Sequence, residues 1–292
     1  MLVRKGDTGQ EVKQIQRELD IEADGVFGPI TESAVMRFQV EEHLDVDGIV
    51  GPKTWAALFG LTTDIQESLD SQHGIVINHH MLPKREYFKG PTKKEWLFLH
   101  HTAGWHNPYR TIDHWGRDSR GRIATEFVLG GPSIFNDEFK YDGEIVKCIP
   151  DGGYAWHLGR NGYQEMHTNS VGIEVCNFGY LKDGKTYAGH TVHKDHTVEL
   201  AKEFKGYKNW HRYSDAQIES LRKLILFIAD RDKIDVREGL PALIKEKGAD
   251  AFEWNEKAYY GQVRGLLSHS NTNKGKSDMF PQEELLTMLT EL

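Results

Sequence analysis

The chain has 292 residues, 38% of them hydrophobic and 11% aromatic, which is enough apolar material for two domains with their own cores and too much for a disordered chain. Lys and Arg number 36 against 44 Asp and Glu, and the net charge of −8 argues against a partner held mainly through a polyanionic backbone, so no nucleic acid is expected. The two cysteines, Cys148 and Cys176, exclude a disulfide scaffold and read as small buried side chains.

Charged residues at Arg4, Lys5 and Asp7 occupy the place where a signal peptide needs its apolar core, so the expectation is synthesis in the cytoplasm without a Sec signal. No window approaches about 18 uninterrupted apolar residues, and no membrane insertion is expected. Beyond this opening, Val12, Ile15, Gln16 and Leu19 keep helical spacing. The stretch 24–31, Asp-Gly-Val-Phe-Gly-Pro-Ile-Thr, then recurs at 47–54 as Asp-Gly-Ile-Val-Gly-Pro-Lys-Thr. Asp-Gly supplies a tight turn and Gly-Pro a second bend, while Thr31 and Thr54 are predicted to cap the helices that follow. Those helices carry Ala34, Val35 and Phe38 in the first copy and Trp55, Ala57 and Leu58 in the second. The result is a small all-α three-helix module over residues 1–62, with 6 basic and 11 acidic residues.

Together with the run Gly6-Asp7-Thr8-Gly9, these features resemble the peptidoglycan-binding domain 1 module of cell-wall hydrolases. The resemblance implies that the module as a whole binds wall, while Asp24, Asp47, Thr31 and Thr54 individually read as builders of turns and caps. Because the module and its proposed partner are both acidic, binding should rest on shape, hydrogen bonds and stacking.

Polar residues and chain breakers mark a linker at 63–73, and a second domain is expected over 74–292. Ile75-Val76-Ile77 is predicted to form a strand. The apolar run from Trp96 to Leu99 ends in His100-His101, and the run Leu266-Leu267-Ser268 ends in His269 with Lys276 and Asp278 close behind. Histidines at the ends of buried strands suit a metal, and two imidazoles with one carboxylate make a three-ligand zinc set with a fourth position left open, the pattern of a catalytic site. Between these runs, Val171, Ile173 and Val175 alternate with Gly172 and Glu174, so a strand sets Glu174 on the face opposite its apolar neighbours. A carboxylate in so apolar a strand is expensive unless it faces a cleft or a partner, which makes Glu174 a candidate base. A helix is predicted from Tyr213 to about Asp230 with Ser214 or Asp215 as its cap. Other histidines read as bland: His190, His193 and His196 belong to a solvated insertion over 180–210, at most one of His79 and His80 points inward, and His101 faces away from His100.

The motifs His100-His101-Thr102-Ala103-Gly104, Ala155-Trp156-His157-Leu158-Gly159, Asn169 through Glu174, and Lys276-x-Asp278 occur in this order and as a set resemble the zinc-dependent N-acetylmuramoyl-L-alanine amidases of the amidase 2 family. That family includes the T7-lysozyme-like phage enzymes, the AmpD-type enzymes and the peptidoglycan recognition proteins. The implied fold is an α/β mixed-sheet zinc amidase domain flanked by helices. The resemblance places zinc ligands at His100, His269 and Asp278, catalytic roles at Glu174 and Lys276, and substrate contacts at His157, Thr102 and Asn169. Where some members carry a catalytic tyrosine this chain has Thr125, so no tyrosine is assigned. The implied function is hydrolysis of the amide between N-acetylmuramic acid and L-alanine in bacterial peptidoglycan by a monomer that a phage holin releases or a virion carries, in the manner of an endolysin. The alternative is a noncatalytic peptidoglycan-binding protein on the same fold. A glycosidase would instead need a pair of carboxylates and no metal.

Overall fold

In the computed structural model, residues 2–42, 44–59, 73–90, 92–135 and 138–292 are described. The expected linker at 63–73 lies outside them save for His73. Three helices come first: α1 (Gln10–Glu18), α2 (Pro29–Glu41) and α3 (Pro52–Phe59). They enclose a core of their own that includes Val12, Ile15, Phe27, Val35, Leu58 and Phe59.

The two Asp-Gly loops are built alike. Gln16 on α1 donates from Nε2 to Asp24 Oδ1 at 2.7 Å, Val26 O at 3.0 Å and Thr31 Oγ1 at 3.0 Å, and its Oε1 accepts from Gly25 N at 2.8 Å. Gln39, at the corresponding place on α2, donates to Asp47 Oδ1 at 2.8 Å, Ile49 O at 3.0 Å and Thr54 Oγ1 at 3.1 Å, and accepts from Gly48 N at 2.9 Å. The threonines therefore do not cap their helices. Gly28 is the N-cap of α2, and Thr31 sits inside the first turn because Pro29, with its fixed φ and missing N–H, takes the first helical position.

A six-stranded sheet follows, in the order β1-β4-β3-β5-β2-β8, formed by β1 (Ile77–His79), β2 (Trp96–His101), β3 (Phe127–Leu129), β4 (Ile145–Lys147), β5 (Ser170–Val175) and β8 (Gly265–Ser268). Only the β3–β4 pairing is antiparallel, so the sheet is mixed. The first strand starts at Ile77 rather than Ile75, because Ile75 packs into the core while Ile77 to His79 pair with β4.

Alternation sorts the central strands. Leu97, Leu99, Val171, Ile173, Val175 and Leu266 face a core shared with the long helix α6 (Asp215–Asp232) and the helices α7 (Leu240–Lys247) and α10 (Glu283–Thr290). Ser214 caps α6 in a capping box with Gln217, the feature expected there. On the opposite face Trp96, Phe98 and Leu267 form a second cluster with Leu158, Met166 and Ala258. The short helix α4 (Pro108–Trp115) covers the same face nearer β3 and β4, where Ile112 packs with Val128 and Val146. Short helices α5 (Glu165–Thr168), α8 (Glu256–Tyr259) and α9 (His269–Thr272) complete the set.

The 180–210 insertion folds into a hairpin of its own, β6 (Thr197–Phe204) and β7 (Tyr207–His211), with a tight loop ahead of it where Lys182 pairs with Lys185 and Lys185 with Thr191. Its base is tied to the end of β5 by Asn177 Nδ2 donating to His211 O at 2.8 Å and His211 N donating to Gly179 O at 2.9 Å. Among the described residues no helix is long and apolar enough to cross a membrane.

The three-helix module rests against the sheet domain. Gln14 Nε2 lies 3.2 Å from His80 Nδ1, the other ring nitrogen of His80 lies 2.7 Å from Asp113 Oδ1 on α4, and Met81 completes the module's core. His80 is thereby a structural link between the two units. At the same seam Glu18 is buried among Tyr87, Lys84 and Lys89, and burial raises its carboxyl to about 7 despite the lysines.

Candidate metal and active site

Parallel strands β5, β2 and β8 carry their C-terminal ends to one edge of the sheet, where a cavity of about 930 Å³ opens. His100 and Glu174 stand opposite one another in the register of β2 and β5. Behind them Gly172 is obligatory, since a Cβ there would stand 2.7 Å from Thr125 Cγ2 and 3.1 Å from His157 Nδ1. His269 begins α9 directly after β8, and the loop it opens is closed by Ser270 N donating to Asp278 O at 2.9 Å, which brings the Asp278 carboxylate back over the histidines.

His100 Nδ1 and His269 Nδ1 are 3.1 Å apart, and Asp278 Oδ2 lies 3.3 Å from the first and 3.0 Å from the second. Among the described residues, these three form the one group of His, Cys, Asp or Glu side chains converging closely enough to hold a metal ion. His190, His193 and His196 form no such group; 194–196 is a single 3-10 turn in the insertion.

A chain of hydrogen bonds sets the tautomers behind this corner. Ser170 Oγ donates to Met166 O, so it accepts from His157 Nε2 at 2.7 Å, which leaves His157 Nδ1 to accept from His100 Nε2 at 2.9 Å. With its proton on Nε2, neutral His100 presents a bare Nδ1. His269 reaches the same state through Nε2, which donates to Leu158 O at 3.0 Å. Two nitrogen lone pairs and a carboxylate thus converge within hydrogen-bonding distance with no proton assigned between the nitrogens, an arrangement that repels itself unless a cation lies among them. The donor set of two imidazoles and one carboxylate fits zinc.

Electrostatics agree with that use. Burial pushes His100 down to about 4, keeping its imidazole neutral. Burial alone would raise Asp278, yet positive charge and proton donation from His269 and His100 hold it well below the usual carboxylate range, a part that a cation would take over once both facing nitrogens are bare. Glu174 moves the other way: desolvation, reinforced by Asp278 and only partly offset by Lys276, raises it to about 8. Lys276 is exposed and lines the same cavity.

The residues expected to contact substrate divide. Thr102 lines the cavity, but its hydroxyl is occupied in shaping the loop, accepting from Gly104 N at 3.0 Å and Asn177 N at 3.2 Å. His157 also lines the cavity, with both ring nitrogens engaged in the chain behind His100. Asn169 is not at the site. It precedes β5, and about 3.3 Å per residue over the five residues to Glu174 puts it roughly 17 Å away at the opposite end of the strand, where its carbonyl accepts from Glu95 N at 2.7 Å. Thr125, to which no catalytic role is assigned, is buried and donates to Phe127 O at 2.9 Å. His101 faces the other way and meets Tyr213 OH at 3.0 Å.

One wall of the cavity escaped the sequence reading. Arg110, His114 and Arg117 project from and just beyond α4, and Arg120 follows. Their spacing of four and three residues after the Asn107 cap and Pro108 is a basic helical stripe in an acidic chain, a signal visible in the sequence.

The strand-edge cavity thus carries a corner of two imidazoles and one carboxylate that could hold a metal ion. Residues 90–278 match the N-acetylmuramoyl-L-alanine amidase family, residues 8–58 match the putative peptidoglycan binding domain, and the chain belongs to that amidase family. Solved structures similar to it include a peptidoglycan-binding protein from Clostridioides difficile, at 41% identity over 20% of this chain and 40% of that one with a TM-score of 0.20. A Burkholderia AP3 phage endolysin matches at 32% identity over 26% of this chain and 34% of that one, also with a TM-score of 0.20. The amidase AmiD from E. coli matches at 20% identity over 53% of this chain and 50% of that one, with a TM-score of 0.34. The chain thus spans less than half the length of the first two structures. Comparison with curated proteins gives no match.

Proposed function

We propose that the protein hydrolyses the amide between the lactyl carbonyl of N-acetylmuramic acid and L-alanine in bacterial peptidoglycan, with a zinc ion held by His100, His269 and Asp278. The observation that carries this reading is the convergence of two tautomer-fixed imidazoles and one carboxylate beside Glu174, in a chain of this family. Bound zinc would polarise the scissile carbonyl and lower the pKa of water towards about 7.

Glu174 takes a proton from the attacking water and returns one to the leaving amine nitrogen; desolvation and Asp278 raise it to about 8, and a cation among the three ligands would draw it back down so that it is ionised yet still strongly basic at neutral pH. Lys276 offers its ammonium to the charge that develops on the carbonyl oxygen. Ser170 and His157 hold His100 in one tautomer, and Leu158 does so for His269. The N-terminal module holds the enzyme on the wall, and delivery is by holin release or from a virion. A noncatalytic wall-binding protein would have no use for a carboxylate of raised basicity beside a metal corner.

Digestion of purified wall tests this. New free amino groups that disappear on chelation and return with zinc are expected, whereas new reducing sugar ends would point to a glycosidase.

A further inference from the structure

The cavity is lined by two unlike groups of side chains. One is the basic stripe of α4; the other is Trp105 and Tyr187, with the rings of Phe135, Phe178 and His190 gathered around Trp105. Trp105 is 37% exposed, Phe135 58% and Tyr187 62%, while Phe178 beneath them is buried. Ring centroids lie 5.2 Å from Trp105 to Phe135, 5.1 Å to Phe178 and 4.9 Å to His190. The platform is anchored: Phe178 packs with Ile134, Leu181 and Val192, and the loop carrying Tyr187 and His190 is closed by Thr186 N donating to His190 O at 2.9 Å and His190 N donating to Thr186 Oγ1 at 3.2 Å.

Exposed aromatic rings on a fixed base, continuous with a reaction cavity, need an occupant with apolar faces and a polar rim. The substrate of the proposed amidase has two arms leaving the scissile amide. The peptide arm carries carboxylates, which match the arginines of the lining; the glycan arm is uncharged at its N-acetylglucosamine rings, whose C–H faces stack on aromatics. We infer that the aromatic group, supplied jointly by Trp105 and the 180–210 insertion, is a saccharide subsite that stacks a glycan ring beyond the muramic acid being cleaved. This rests on the amidase reading and gives the insertion its role: it extends the site along the glycan.

Two readouts separate this inference from the reading beneath it. Titration of a tetramer of N-acetylglucosamine into the full-length protein, followed by isothermal calorimetry, needs no catalysis. Binding is expected for the wild type, with affinity reduced about tenfold in Tyr187→Ala and Trp105→Ala and retained in Trp105→Phe. In kinetics, Tyr187→Ala should raise KM about tenfold on glycan-bearing muropeptides at unchanged kcat, and leave KM on a muramoyl peptide without further sugars within about twofold. Tyr187 is largely exposed, so its variant folds even if Trp105→Ala does not. Equal effects on both substrates, or tetramer binding indifferent to both substitutions, overturn the subsite. If the wild type binds the tetramer in a Tyr187-dependent way but cleaves neither substrate, the amidase reading fails and the subsite stands.

Discussion

The N-terminal module and the sheet domain both bury polar side chains in hydrogen-bonded networks, and the two networks end differently. In the module Gln16 and Gln39 each spend their donors and acceptor on their own Asp-Gly loop, and the partners, Thr31 and Thr54 included, are equally committed. Nothing is left over, and the product is a loop shape made twice. In the sheet domain the chain from Met166 through Ser170 and His157 to His100 also satisfies each donor in turn, but it stops at a bare nitrogen aimed at a second bare nitrogen and a carboxylate. A closed network is architecture. One that delivers converging lone pairs to a cavity is a site.

Breaking the second network at its reacting end should have the largest effect. Glu174→Gln keeps the shape and the proposed ligands but removes the proposed base, so kcat should fall by about 10²- to 10⁴-fold with zinc content unchanged. A variant with normal turnover would remove Glu174 from the mechanism.

Glu18 sharpens the comparison, because it is the module's buried carboxyl with an oxygen left unpartnered, at the seam with Tyr87. Its folded pKa of about 7 stands above the ordinary 4.5, so the folded state keeps a proton that the unfolded chain has released. The stability tied to that proton is fully present below about pH 4.5 and is lost as pH rises to about 7, on the order of 3 kcal/mol in all. Urea denaturation at pH 5 and pH 8 should show this slope in the wild type and a flatter one in Glu18→Gln; identical slopes would mean Glu18 is not buried at the seam.

Removing a link behind the ligands should act through the metal. His157→Ala should weaken zinc binding by about 10- to 100-fold, and Ser170→Ala by less, because His157 can still donate to water. Zinc affinity measured by competition with a chelator reads this directly, and an unchanged value would make the chain of hydrogen bonds incidental.

The closed network should answer in stability alone. Gln39→Ala strips the second loop of its donors and should destabilise the module by about 1–3 kcal/mol, with zinc affinity and small-substrate turnover unchanged. Any loss of zinc in that variant would contradict the separation drawn between the two networks.

What the sequence made legible follows from the range of the interactions involved. Helical spacing, the repeated loops and the Ser214 cap are local, and apolar runs ending in histidine announce strands that end at one sheet edge. The alternation around Glu174 likewise settles its face, because period two is a property of the strand itself. Thr31 and Thr54 misled as caps because a glutamine 15 residues upstream claims each hydroxyl, a partner that local pattern does not reveal. Asn169 misled because its nearness in sequence to Glu174 becomes, along an extended strand, a position at the far end. The partners of His100 were not legible either: His157 lies 57 residues from it and His269 lies 169 away, and only the folded sheet brings them together. The basic stripe of α4 was readable and passed over, its spacing submerged in an acidic chain.

Metal stoichiometry tests the central claim most directly. Zinc titrated into metal-free protein should bind at one ion per chain in the wild type and in Glu174→Gln, and should fail to bind in His269→Ala and Asp278→Ala when folding is verified by circular dichroism. Full zinc occupancy in the folded His269→Ala protein would contradict the account.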